Sequence, residues 1–210
     1  MKNILVNGIN INYKEQGSGQ DMILIHGKGY YKEGMDALFN YYSKSYHVIS
    51  YDIRCHGKSQ MTKDFSLDLC SKDLYELIKI LNLKNVIVIG FSMGSYISLL
   101  TAEKYPKLFN KMILIGTKGK EEREIKEEFK NDIVYQAVSN YDLFKDINKI
   151  KIPVLVLTGE NDNINPVNKG KEVANNLVNG KFYMINNAGH IAWLNNEKLV
   201  LDLIDHFLKE

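Results

Sequence analysis

The chain has two cysteines, Cys55 and Cys70, three prolines and one tryptophan among its 210 residues. Two thiols cannot build a disulfide framework, so both are expected to be reduced, as in a reducing compartment. No apolar run approaches the roughly 18 residues of a membrane span, and Asn3 to Tyr13 alternates apolar and polar residues where a leader would be continuously apolar. These absences predict a cytoplasmic protein without a membrane partner. An excess of one charge is missing too: 27 Lys and Arg stand against 25 Asp and Glu, for a formal charge of +2. Attraction to a phosphate backbone is therefore weak, and nucleic acid is not an expected partner. The densest charge run, Lys118 to Lys130, mixes both signs and reads as a solvated helix face. No pair of histidines or cysteines has metal-ligand spacing near a further ligand, so no metal and no other cofactor is expected. Gly27 and Gly29 are not followed by the third glycine of a dinucleotide loop, because Lys32 stands in its place.

What is present is ordinary globular composition, 45% hydrophobic and 25% charged, at a length that fits one domain over residues 1–210. Ile4 to Val6 and Ile9 to Glu15 read as two strands joined at Asn7-Gly8, a strong hairpin signal. Six short apolar runs follow: Met22 to Ile25, Val48 to Tyr51, Val86 to Ile89, Met112 to Ile115, Val154 to Leu157 and Phe182 to Ile185. They predict parallel strands buried on both faces. Helical spacing lies between and after them, at Leu67, Cys70, Leu74, Leu77, Ile78 and Leu81, and at Leu199, Leu203, Ile204 and Phe207. The alternation predicts an α/β fold: a mostly parallel eight-stranded sheet with an antiparallel N-terminal hairpin and helices on both faces. Ligands of such sheets bind beyond the carboxyl ends of the strands, so functional residues should lie just after them.

One such position is distinctive. The run Val86 to Ile89 leads into Gly90-Phe91-Ser92-Met93-Gly94, after which Tyr96, Leu99, Leu100 and Glu103 continue as a helix. This is the strand, sharp turn and helix of a G-x-S-x-G nucleophile elbow, which makes Ser92 the candidate nucleophile. Together with the elbow, four further segments resemble the α/β-hydrolase superfamily over nearly the whole chain, residues between Thr117 and Asn148 excepted. His26-Gly27-Lys28-Gly29 is similar to the family's H-G-x-G loop, which implies the backbone N–H groups of Lys28 and Met93 as oxyanion donors. Asp52-Ile53-Arg54-Cys55-His56-Gly57-Lys58-Ser59 resembles its D-x-R-G-x-G-x-S turn, with Cys55 where glycine is usual. Gly159-Glu160-Asn161-Asp162 is similar to its acid loop and Asn187-Ala188-Gly189-His190 to its histidine loop. Trp193 and Glu197 carry the resemblance into the final helix. The resemblance implies Ser92, Asp162 and His190 as a triad in the chain order of this fold, with Glu160 an alternative partner for the histidine.

The remaining segment, about residues 117–148, stands where relatives insert a helical cap, and here it has room for one or two helices. Ile125, Phe129, Ile133 and Ala137 recur four apart from Glu121 onward, predicting one amphipathic helix that either covers the sheet edge or, through Phe129, lines an acyl-binding surface. So short a cap predicts an open serine and small or exposed acyl groups. The resemblance implies a serine hydrolase of carboxylic esters, lactones or thioesters of small molecules, acting through an acyl-enzyme. Carbon-carbon bond hydrolysis or lyase chemistry uses the same triad, and a ligand-binding or receptor protein on this fold is the alternative outside the enzymes. Oligomeric state is not legible.

Overall fold

A computed structural model of the chain describes residues 2–210. Strands β1 (Lys2–Val6) and β2 (Ile9–Gln16) form the expected hairpin. Its two turn residues, Asn7 and Gly8, have φ of 47° and 78°, the left-handed pair that matches the twist of adjoining strands. There follow β3 (Asp21–Ile25), α1 (Asp36–Tyr42), β4 (His47–Tyr51), α2 (Leu67–Ile80), β5 (Val86–Phe91), α3 (Met93–Lys104) and β6 (Phe109–Ile115). After the short elements β7 (Lys120–Glu122), α4 (Ile133–Ala137) and β8 (Asn140–Asp142) come β9 (Val154–Gly159), α5 (Val167–Asn176), β10 (Gly180–Ile185), α6 (Ala192–Asn195) and α7 (Glu197–Lys209).

Eight strands make one sheet in the order β1-β2-β4-β3-β5-β6-β9-β10. Pairings β1/β2 and β2/β4 are antiparallel and all others parallel, as expected. The chain moves outward from β3 to β4, then returns to lay β5 on the other side of β3. Such a reversal opens a crevice beyond the strand ends. The segments that leave β3 and β5 are those of Lys28 and Ser92.

Successive residues of a strand face opposite sides of the sheet, so each central strand supplies two cores. Ile23, Val88, Met112 and Val156 face one side, where Leu74 and Leu77 of α2, Ile97 of α3 and Val173 of α5 cover them. Leu24, Ile87, Ile89 and Leu155 face the other, against Leu38 of α1, Trp193 of α6 and Ile204 and Phe207 of α7. Strand β10 departs from the expected double burial: it is the sheet's edge, and Tyr183 and Met184 are exposed.

The cap also departs from expectation. No single helix carries Ile125, Phe129, Ile133 and Ala137. Instead β7 and β8 pair as an antiparallel ribbon, enclosing a 3₁₀ turn at Glu127–Phe129 and the five-residue α4. Asp132 starts α4 by accepting the N–H of Tyr135 on its side chain, so the helical period restarts there and cannot run through from Glu121. Nor is the charge run uniformly solvated. Lys118 is buried and paired with Glu121, which also takes the guanidinium of Arg123 at 2.5 Å.

Candidate active site

The elbow is tightly built. Ser92 has φ 51° and ψ −116°, a conformation that costs a non-glycine residue of order 1–3 kcal/mol and is tolerated where its surroundings enforce it. The enforcement comes from close packing: a Cβ on Gly90 would lie 2.6 Å from the Gly94 carbonyl oxygen, and one on Gly94 would lie 2.2 Å from that of Ile25. Only hydrogen fits at either place, so α3 runs back hard against β3 and β5. Ser92 stands half-buried at the head of α3. The N–H of Met93 is the first of that helix and has no intrahelical acceptor.

Asp162 and His190 are brought together. His190 Nδ1 lies 2.7 Å from Asp162 Oδ2, while Asp162 Oδ1 accepts the N–H groups of Ile164 at 2.9 Å and Asn165 at 2.8 Å. The buried carboxylate is thus fixed at both oxygens. Because Nδ1 donates to a carboxylate, Nε2 is left as the acceptor. Glu160 is engaged elsewhere, accepting the Asn187 N–H at 2.9 Å. Ser92 and His190 line one cavity of about 390 Å³, together with Lys28, Tyr30, Ile164 and Leu194. Phe91 supports the imidazole from below, its ring 4.9 Å from that of His190 and 4.9 Å from that of Trp193. A larger groove of about 720 Å³, between the start of α2 and the cap, contains none of the three residues.

Phe129 does not line the serine's cavity. It stacks on Tyr135 with ring centroids 4.2 Å apart, and the Lys28 ammonium sits 4.3 Å from the centre of the Tyr135 ring and 5.9 Å from that of Phe129. The apolar wall is supplied instead by Tyr30, Ile164, Ile191 and Leu194. Sequence reasoning missed them, although Ile164 lies two residues after Asp162 and Ile191 directly after His190. Their signal was adjacency to the motifs, since a residue beside a catalytic-type loop shares its end of the sheet.

The two loops before the elbow interlock. His26 is fully buried, its Nε2 accepting the Ile53 N–H at 3.0 Å and its Nδ1 donating to the Gly27 carbonyl at 2.8 Å. Burial lowers its pKa from 6.5 to about 4. Below pH 6.5 an unfolded chain protonates this ring and the native state does not, so stability is lost as the pH falls from 6.5 to about 4, by about 3 kcal/mol in all. On α3, Glu103 acts oppositely. Burial, then the charge of Asp146, raises its pKa from 4.5 to about 7, so stability is lost as the pH rises through that window. The two slopes oppose each other between pH 4.5 and 6.5. Glu103→Gln is therefore expected to steepen the fall in Tm on acidification across this range, as read by thermal unfolding in a buffer series; a slope equal to that of the parent would refute the assignment.

Residues 22–137 match the alpha/beta hydrolase fold family and residues 135–210 the family described as TAP-like protein. Among curated relatives, the (E)-2-((N-methylformamido)methylene)succinate hydrolase of Acinetobacter baylyi is 37% identical over 113 residues, covering 53% of this chain and 43% of that protein. The hydrolase YugF of Bacillus subtilis is 21% identical over 267 aligned positions that take in 100% of this chain and 98% of that one. The chain thus spans less than half the length of the first of these relatives and nearly all of the second. Among solved structures, an esterase from Exiguobacterium antarcticum superposes with a TM-score of 0.90 at 20% identity, covering 99% of both chains. A thermophilic esterase from Thermogutta terrifontis does so with 0.85 at 19%, covering 99% of this chain and 97% of that one. With more than half of its length matched to the family, and its sheet laid out as those structures are, the chain belongs to the alpha/beta hydrolase fold family.

Proposed function

We propose that this chain is a serine hydrolase of small carboxylic esters, lactones and thioesters included, in which Ser92 is the nucleophile, His190 its base and Asp162 the residue that orients the base. The observation that carries the reading is the Asp162–His190 bond at 2.7 Å beside a serine held at φ 51° in the same cavity. A neutral imidazole with its Nδ1 proton committed to a carboxylate presents Nε2 to a hydroxyl. In this mechanism Ser92 Oγ attacks the carbonyl carbon as Nε2 takes its proton, and the carbonyl electron pair moves onto oxygen. The backbone N–H groups of Lys28 and Met93 meet that charge, the kind of donor whose single loss costs about 2.7–4 kcal/mol. The imidazolium, stabilised by Asp162, returns the proton to the leaving alcohol, and water repeats the sequence on the acyl-enzyme.

The alternative is a binder that keeps the fold without the reaction. The strained backbone at Ser92 favours the enzyme, because a ligand-binding role does not call for it. A fluorophosphonate probe separates the two: the parent should be labelled at Ser92 and Ser92→Ala should not, while a folded parent that resists labelling would favour the binder. In a para-nitrophenyl ester series, kcat/KM should be highest for short acyl groups, as the small cavity and the reduced cap require.

A further inference from the structure

The cavity beside Ser92 has an unusual charge pattern. Its walls are mostly aromatic and aliphatic, and among the described residues no aspartate or glutamate lines it and Lys28 is its one permanently charged residue. Lys28 is partly buried, and among the described residues its ammonium forms no ion pair. It lies 4.3 Å from the centre of the Tyr135 ring and 5.9 Å from that of Phe129, two residues of the cap. An ammonium against aromatic rings keeps most of its charge available, because a ring quadrupole attracts a cation without neutralising it. The α3 N-terminus beneath Ser92 adds positive potential of the same sign.

Resting on the reading of this site as a serine hydrolase, we propose that Lys28 selects substrates carrying a carboxylate a few bonds from the scissile carbonyl. The distance follows from covalent geometry. The backbone N–H of Lys28 is the proposed oxyanion donor, so its own ammonium is tethered one side-chain length from the reacting oxygen. A carboxylate at that reach meets a partly desolvated cation, where a charged hydrogen bond is stronger than at the open surface. The stacked Phe129 and Tyr135 pair holds the ammonium on the cap side. This gives the cap a part in recognition that differs from walling an acyl pocket.

The test compares two isosteric esters, para-nitrophenyl valerate and the para-nitrophenyl half-ester of glutaric acid, with a third whose carboxylate is on the alcohol side. In the parent, kcat/KM is expected to favour one of the anionic esters over the neutral one by roughly tenfold or more. That ratio should fall to about one or below in Lys28→Met, whatever the absolute rates, should be kept in Lys28→Arg, and should shrink with added salt. Calorimetric titration of the same esters into Ser92→Ala measures the preference without turnover, with Lys28→Met added in that background. Tighter binding of an anionic ester that depends on Lys28 supports the inference even if hydrolysis is never seen, in which case the hydrolase reading alone fails. A parent that binds and cleaves neutral and anionic esters alike, or a preference that Lys28→Met leaves intact, overturns it.

Discussion

His190→Ala is expected to lower kcat on an activated aryl ester by roughly 10⁵- to 10⁶-fold, and Ser92→Ala added to it should remove almost nothing more. The size follows from what the imidazole does. A serine hydroxyl is a poor nucleophile while it keeps its proton, and the proposed acceptor is the Nε2 left free by the Nδ1 bond to Asp162 at 2.7 Å. Without that acceptor, Ser92 is present but inert, so deleting it as well changes little. What should survive is the rate due to binding and to the two proposed backbone donors, which neither substitution touches. Measured kcat values for the parent, the two single variants and the double variant decide the matter. Losses that multiply would mean that the two residues act independently, and a His190→Ala variant within a hundredfold of the parent would mean that another group is the base.

The strands and the loops that follow them were legible because each signal is local. A β-branched run such as Val86 to Ile89 specifies a buried strand, and the glycines at 90 and 94 specify a turn that only hydrogen fits. The Cys55 departure was legible as an oddity and not in its outcome. Cys55 adopts φ 61°, the left-handed region for which glycine is usual, and the turn keeps its form because its bonds are made around the side chain: Cys55 N–H donates to the Gln60 carbonyl at 3.2 Å and Thr62 N–H approaches Sγ at 3.4 Å.

The cap was misread for a reason of the opposite kind. Four apolar residues at a spacing of four satisfy a helix in any charged segment, yet the period is decided by partners elsewhere in the chain. Glu121 pairs across the ribbon with Tyr141, and Tyr141 packs against Tyr96 of α3 with ring centroids 4.8 Å apart. Tyr96 in turn accepts the side-chain N–H of Asn165, whose backbone N–H holds Asp162. That chain of contacts joins the cap to the acid loop over 24 residues of sequence from Tyr141 to Asn165. No periodicity within the segment reports it. The same holds for Phe129: its face is spent on Tyr135, beside the Lys28 ammonium, an arrangement that needs the H-G-x-G loop and the cap in one place.

The second large effect expected is on stability, at a buried pair of which the motifs mark only Asp52, the first residue of the D-x-R turn, and not its partner Lys32. Lys32 and Asp52 are both fully buried, with Nζ and Oδ2 2.9 Å apart, and the same carboxylate accepts the N–H groups of Lys32 at 2.7 Å and Lys58 at 2.9 Å. Burial by itself would raise the Asp52 pKa, but the two N–H groups and the ammonium outweigh it and hold the carboxyl below its usual range. Lys32→Met leaves that charge buried without its counterion, which typically costs 3–5 kcal/mol, or a drop in Tm of roughly 6–20 °C for a chain of this size. Asp52→Ala should cost more, because it orphans two backbone donors as well as the ammonium, for which the half-exposed Glu33 at 3.0 Å then remains. The loop that carries Lys28 is tied down four residues later by this pair, so kcat should fall in both variants even where they stay folded. The pH dependence separates a lost counterion from lost packing. An Asp52 without its ammonium takes up a proton more readily than the paired one, so acid relieves the variant more than the parent. The Tm gap between Lys32→Met and the parent should narrow as the pH is lowered from 7 toward 4. A gap that stays constant or widens would mean that the buried methylenes of Lys32, and not its charge, are what the fold requires.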